Sequence, residues 1–549
     1  MKNIQLNKLN NFYPYLVLFL FISPSIVWII LDQRVFPWDQ AWYGQVSVEL
    51  FYRLIHTPLD WFKDMISAFG IKAPGVAWLG QFFVPLGQLI GSIEIGLLLS
   101  IIVTQFSVLL LIYPIILKLT NSRLISVICC LFASSSPLSV GLNHQYLVEP
   151  LQTLSITWII LIMVFAPQWD SKRIILHLIS AVSLAMIAKI TSPLYSFGAI
   201  LVILYHVYNN RNINKNLTQV NSKNLLSKIK PLYITTFLLI SGFLLWYGKN
   251  LANILSFTIQ ASSGEASLLY GEKASFLPKI QYWLSSFQKS FFAPISLVFI
   301  IALLIYVLIK VFFDFKKAFT PIKLSYFDIC NIVSVVEISL VLILFSFQVN
   351  QENRYLLPII PYLAIILAWI LKKVNQKMIV AFIGGLFILQ LFMVQGQSLG
   401  LTSVNSNLSY WLYPVDTNNN NKQLLTKVVD ATCSQKEKER YNIIGLELPW
   451  FNANSAAYFS AKQLLTKDFH CYYTSLGYAE KDIEKAWQRL FDLNINYFAT
   501  LQPELQPKPA NPLNEVSLPM LNQITKSSKF KLDSSIDNSS ILLYKKVSP

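Results

Sequence analysis

The chain has 549 residues, 54% hydrophobic and only 13% charged, with a formal net charge of +16. An ordinary soluble domain carries about 25% charged residues, so a protein that is globular and soluble throughout is excluded. The cations would suit a nucleic-acid surface, but they gather in one alternate set of connections between apolar segments, and that excludes nucleic acid as partner.

Eleven apolar segments approach the ~20 residues a spanning helix needs. They fall at roughly 13–31, 93–117, 124–141, 146–165, 174–190, 193–208, 231–248, 291–309, 328–347, 355–371 and 378–395. The expected fold class is an α-helical polytopic membrane protein of about eleven transmembrane helices over residues 1–395. With the N-terminus in the cytoplasm, that side holds 18 Lys and Arg against Asp170 and Asp314 as the clear acids, an excess equal to the whole net charge. This is the distribution of a multi-pass inner (plasma) membrane protein obeying the positive-inside rule. The first apolar run lacks a small-residue cleavage site and is read as a retained helix.

The loop 32–92 between the first two spans is then external, and too long for a simple connection. It opens with Pro37-Trp38-Asp39-Gln40-Ala41-Trp42-Tyr43-Gly44. The residues that follow read as an amphipathic helix, with Tyr43, Val46, Leu50, Phe51 and Leu54 on one side and Gln45, Glu49, Arg53 and His56 on the other. Such a helix is expected to lie in the membrane interface. His56-Thr57-Pro58 breaks it, and a second amphipathic piece, 59–69, carries Trp61, Phe62, Met65 and Phe69. Gly70-Ile71-Lys72-Ala73-Pro74-Gly75 then turns the chain back toward the bilayer.

Farther along, Asn143-His144-Gln145 forms an external turn, Glu149-Pro150 opens the fourth span, and Lys189 closes the fifth. The loop 209–230 is an acid-free, solvated connector. A second external loop, 249–290, contains Gly264-Glu265 and Gly271-Glu272-Lys273. Arg354-Tyr355 stands at the outer mouth of the tenth span, where Pro358 and Pro361 rule out a straight first turn. Beyond 396 the tail holds 16 Lys and Arg against 14 Asp and Glu. Strand-like runs at 441–446, 471–474, 497–500 and 541–544, with a helix at 480–493, predict a soluble extracytoplasmic α/β domain over 396–549. Cys433 and Cys471 fall in it, either paired or as two buried thiols. The sequons at Asn407 and Asn538 are too common to assign a compartment.

Asp39, Lys72 and Arg354 place one carboxylate and two cations on the same face. Transfer of a sugar from a phosphate needs a base at the acceptor and cations that neutralise the departing phosphate. Each residue also has a plainer reading. Asp39 could cap the following helix, although Trp42 stands where a capping box needs Glu or Gln. Lys72 and Lys189 could snorkel to the interface, Glu149 could face water, Arg354 could anchor the span, and His144 reads as a turn residue.

The segment Trp38-Asp39-Gln40-Ala41-Trp42-Tyr43 resembles the acidic first-loop motif of the GT-C membrane glycosyltransferases, in particular the branch of protein O-mannosyltransferases and the lipid A aminoarabinose transferase. Lys72-Ala73-Pro74 with Trp78-Leu79 resembles that branch's Lys-Pro-Pro segment, and Glu149 falls where its members carry an acid. Arg354-Tyr355-Leu356-Leu357-Pro358-Ile359-Ile360-Pro361 is similar to their Arg-Tyr-x-x-Pro-x-x-Pro motif. The resemblance covers about residues 10–395. It implies inverting transfer of a sugar from a polyprenyl-phosphate donor to a lipid, glycan or protein acceptor. Asp39 would be the general base, with Lys72, Arg354 and Lys189 at the donor phosphate. Glu149 would orient the acceptor or help hold a divalent ion, Mg or Mn, and Tyr43, His144 and Tyr355 would contact substrate. The chain departs from the pattern at Gln40, where many relatives have a second acid, and at Ala73, which replaces the first proline. The alternatives are a non-enzymatic lipid or glycan transporter, a membrane scaffold, a polysaccharide ligase, or an oligosaccharyltransferase. The Trp-Trp-Asp-Tyr-Gly signature of the last is absent.

Overall fold

The computed structural model of the protein describes residues 2–213, 223–318, 324–402, 412–434, 440–507, 512–537 and 540–547. Asn407, Asn538 and the centre of the 209–230 loop lie outside the described residues. The chain forms two compact units, one of Met1–Ile30, Phe69–Gly75 and Leu98–Pro414, the other of Leu31–Ala68, Val76–Leu97 and Val415–Pro549.

Among the described residues, nine helices are long and apolar enough to cross a membrane: Tyr13–Leu31, Ile93–Thr120, Glu149–Gln168, Ser171–Ala188, Pro231–Ser263, Pro294–Phe313, Tyr326–Phe347, Asn353–Val374 and Lys377–Ser398. The expected span at 124–141 is instead a pair, Arg123–Ser135 and Pro137–Asn143, bent by 63°. Proline forces the residue before it out of helical geometry, and Ser136 is extended at φ −64°, ψ 133° while its hydroxyl caps the new helix at the Ser139 N–H, 3.2 Å away. In apolar surroundings the freed carbonyls need new donors. The buried Gln390 amide supplies them to Ser135 O at 3.2 Å and Phe291 O at 3.1 Å, and its own oxygen accepts from the Ala293 N–H at 2.9 Å.

The expected span at 193–208 begins with a 3-10 turn, Ser192–Tyr195, which leaves only the helix Phe197–Ile213. Among the described residues the apolar segments thus yield nine helices able to span a membrane, or ten with the bent pair, against the eleven or so expected. The stretch read as a loop at 249–290 is mostly helical, because the helix Lys223–Ser263 runs through its first part and Phe276–Phe291 fills its end.

In the second unit a five-stranded sheet has the order β2-β1-β3-β5-β4, with β1 Tyr441–Ile444, β2 Tyr472–Ser475, β3 Tyr497–Leu501, β4 Phe530–Ile536 and β5 Ile541–Lys546. Strands β2, β1 and β3 are parallel, and β5 pairs antiparallel with both β3 and β4. Ile443, Phe498 and Tyr544 enter a core with Ala486 and Leu490 of the helix Ile483–Asp492 and with Met520, Leu521 and Ile524 of the helix Ser517–Lys526. Strand β4 escaped the sequence reading because it is an edge strand whose middle is exposed and polar, without the alternation that marks a half-buried strand.

The first-loop helix, Trp38–His56, belongs to this unit, and its apolar side is covered by protein: Tyr43, Val46, Leu50 and Phe51 are all buried. Gly44 meets the Tyr458 ring of the tail helix Ala453–Lys467, where a Cβ would come to 3.0 Å. The apolar side expected to face the membrane interface is thus packed within the protein, in part on the tail. The next helix, Pro58–Ser67, buries no residue and leaves Leu59 and Phe62 exposed.

Cys433 and Cys471 are disulfide-bonded across a separation of 38 residues, tying the end of the helix Asn420–Thr432 to the start of β2. In the chain-entropy account a crosslink of that span contributes about 4 kcal/mol. Replacing both cysteines by serine is expected to lower the unfolding midpoint of the tail in a detergent-solubilised denaturant titration; an unchanged midpoint would contradict this.

Candidate functional site

In the span-bearing unit, the helix Glu149–Phe165 carries a carboxylate in its first turn, where the helix dipole favours negative charge. Glu149 is fully buried, and a buried carboxylate is tolerated only when paired. Lys189, extended at φ −164° just past the helix Ser171–Ala188, brings its Nζ to 2.8 Å from Glu149 Oε1. The Arg354 Nε approaches the same oxygen at 3.5 Å and also pairs with Glu352. The Tyr355 ring lies under the Lys189 ammonium, 3.8 Å from the ring centroid. The Tyr195 hydroxyl donates to Tyr355 O at 2.7 Å, and the Tyr362 hydroxyl to Tyr195 O at 2.6 Å.

Two cations and two carboxylates thus meet in one group. Glu149 Oε2 has no hydrogen-bond partner among the described residues.

Segment 69–75 crosses the ends of the same two helices, because Gly75 lets it approach: a Cβ there would lie 2.8 Å from Ile187 O and 2.9 Å from Leu151 Cδ2. Lys72 of this segment stands over the Phe257 ring at 5.8 Å. His144 is buried with its ring stacked on Trp28, 4.1 Å between centroids and 4° between planes. Of the expected site residues, Glu149, Lys189, Arg354 and Tyr355 therefore form one cluster.

Asp39 and Tyr43 belong to the second unit. Asp39 is not the cap of its helix, since Pro37 holds that position and Asp39 lies inside the first turn. Trp38 adopts φ +32°, in the left-handed region that is strained for a bulky residue. Its indole N–H donates to Glu447 Oε2 at 3.0 Å. Glu447 follows β1, and its main chain is held from both sides by Asn514, which accepts from the Glu447 N–H at 2.7 Å and donates to its carbonyl at 3.2 Å. Burial pushes the Glu447 carboxyl up to about 7 against the opposing Trp38 hydrogen bond. Tyr478, between Gly477 at φ +128° and Ala479 at φ +53°, has its phenol pushed up by burial and by the charge of Asp39.

Glu352, Glu447 and Tyr478 were not anticipated. An acid directly after a predicted strand of an α/β domain was the available signal for Glu447, because ligands of such sheets gather at the carboxyl ends of the strands.

Among the described residues no three His, Cys, Asp or Glu side chains group so as to hold a metal ion, and Glu149 is already engaged by two cations.

No protein-family model matches the chain, and no curated protein matches its sequence. Solved structures do match its fold. The crystal structure of ArnT from Cupriavidus metallidurans bound to undecaprenyl phosphate aligns over 96% of this chain and 98% of its own, with a TM-score of 0.54 and 11% identity. The apo crystal structure of the same protein gives 0.52 at 11% identity, over 96% and 97%. The archaeal oligosaccharyltransferase AglB from Archaeoglobus fulgidus, in complex with an inhibitory peptide and a dolichol-phosphate, gives 0.48 at 10% identity, over 94% of this chain and 72% of that one. At such identities the ArnT likeness establishes the fold: a multi-pass membrane protein of the GT-C type, with a small sheet near its C-terminus.

Two outcomes follow from the geometry. Lys189→Met removes one of the two cations on a buried carboxylate and is expected to cost about 3–5 kcal/mol, most of it recovered in the Glu149→Gln/Lys189→Met double variant; thermal unfolding in detergent reads both. Glu447 keeps its proton in the folded state from about 4.5, where the unfolded chain loses it, to about 7. Its ionisation therefore leaves stability untouched below that window and lowers it as pH rises through it, by up to about 3 kcal/mol. Between pH 4.5 and 7.5 wild type should lose stability relative to Glu447→Gln, and parallel curves for the two would contradict the assignment.

Proposed function

We propose that the protein is a membrane glycosyltransferase that takes a sugar from a polyprenyl-phosphate donor and transfers it, with inversion, to an acceptor on the extracytoplasmic side. The observation that carries this reading is the fold likeness along nearly the whole chain to a protein crystallised with undecaprenyl phosphate. The first-loop aspartate and the cations at Lys72, Lys189 and Arg354 support it with suitable chemistry.

In this reading the Asp39 carboxylate accepts the proton of an acceptor hydroxyl or amine while that heteroatom bonds to the anomeric carbon. The bond from that carbon to the phosphate oxygen breaks, and its electron pair leaves with the polyprenyl phosphate. Lys189 and Arg354 neutralise the leaving phosphate, with Lys72 as a third cation. Glu149 holds Lys189 and Arg354 in place, and its open Oε2 is left to accept from the acceptor. The cation excess in alternate connections supports an inner-membrane protein with a cytoplasmic N-terminus and an extracytoplasmic tail. The acceptor is a lipid, glycan or protein.

Loss of a general base typically removes 10²–10⁴-fold in rate. Asp39→Asn should reduce transfer from a labelled polyprenyl-phosphate sugar by about that factor without changing expression or unfolding midpoint. Arg354→Gln should raise the donor KM by roughly 10- to 100-fold, the worth of a charged hydrogen bond. Wild-type turnover in Asp39→Asn would eliminate the mechanism.

A further inference from the structure

The sheet of the second unit has a topological switch. The chain leaves β1 for the helix Ala453–Lys467 and β2, its neighbour on one side, then returns past β1 to β3 on the other. β1 and β3 are parallel neighbours whose outgoing connections diverge, and in doubly wound sheets ligands bind in the crevice this creates. Here the two connections are bridged by Asn514, on the chain after β3, which holds the backbone of Glu447 after β1. The group that reaches this position is the Trp38 indole.

The Trp38 contact is anchored on both sides. Upstream, the Asp416 N–H donates to Asp32 Oδ1 at 2.9 Å, the Gln33 N–H to Asp416 O at 2.7 Å, and the Ser455 hydroxyl to Phe36 O at 2.8 Å. The Phe36 ring stacks on Tyr458, 5.6 Å between centroids. Downstream, the helix that begins at Trp38 packs on the tail through Gly44. Between these anchors Trp38 holds an unfavourable backbone conformation, which persists only where surrounding contacts over-determine it. Among them, the hydrogen bond to Glu447 Oε2 is the one made by the Trp38 side chain itself. Either protonation state of Glu447 offers an acceptor oxygen, so the bond survives across neutral pH.

We propose that Glu447 is a positioning residue for Asp39. By fixing the indole of Trp38 in the switch crevice of the tail sheet, it sets the left-handed turn that aims the adjacent carboxylate. The tail domain thereby acts on the transfer step, through one hydrogen bond, in addition to any role toward the acceptor. This inference rests on the reading of Asp39 as the base.

The test is a kinetic comparison of full-length Trp38→Phe, Glu447→Leu, their double variant, Glu447→Gln and Asp39→Asn with the same labelled polyprenyl-phosphate sugar. Misplacing a reacting group by about an ångström costs up to about 10²-fold. Trp38→Phe and Glu447→Leu should each lower kcat by at least about tenfold while donor KM stays within about twofold. The double variant should be no worse than the poorer single one, because both remove one bond. Glu447→Gln, whose amide oxygen still accepts from the indole, should recover most of kcat. Trp38→Phe leaves the sheet intact and decides the matter if Glu447→Leu does not fold. Wild-type kcat in Trp38→Phe, additive losses in the double variant, or a Glu447→Gln as poor as Glu447→Leu would each overturn the proposal. An active Asp39→Asn would instead overturn the reading beneath it.

Discussion

A carboxylate buried at the head of an apolar helix constrains the span-bearing unit more than any other group. Glu149 cannot stay ionised in such a place without compensating charge, and the compensation comes from two other parts of the chain, Lys189 after one span and Arg354 at the start of another. Three segments are pinned at one point as a result. The pairing of Arg354 with Glu352 then brings the group to equal numbers of positive and negative charges. Lys189 and Arg354 are thus each matched by a carboxylate in the folded protein.

The first loop obeys a different constraint. It lies between two spans in the sequence, yet Leu31–Ala68 packs with the tail. The buried side of the helix Trp38–His56 accounts for this, since Tyr43, Leu50 and Phe51 are buried and Gly44 lies against the Tyr458 ring of the helix Ala453–Lys467. Asp39 is consequently mounted on an α/β unit, between a residue in a strained backbone conformation and the buried acid that residue's side chain reaches.

Much of the architecture was legible because a run of about 20 apolar residues is stable in water only if protein covers it on every side, whereas a bilayer accepts it directly. Among the described residues nine of the expected spans appear, eight of them with bounds close to those read from the residues. Pro137 was visible too, but composition counts residues and does not register that Ser136-Pro137 bends the run by 63°. The helix running on to Ser263 was read as loop because its final turns mix Asn, Gln and Ser with apolar residues. Of the site, the cluster around Glu149 was legible as residue types at span ends. That Asp39 lies inside its helix rather than at the cap was not, because the cap is set by backbone angles at Pro37 and Trp38.

The sequence by itself determined the membrane class, the spans, the α/β tail, and the order of one acid and several cations along the chain, since each follows from local composition and period. Only the tertiary structure decided which partner each polar group takes. Lys189 finds Glu149 across 40 positions and Trp38 finds Glu447 across 409, separations at which no local pattern survives. The physical reason is that a buried charge or N–H accepts whichever complementary group packing delivers to within hydrogen-bond distance, and packing is a property of the whole chain.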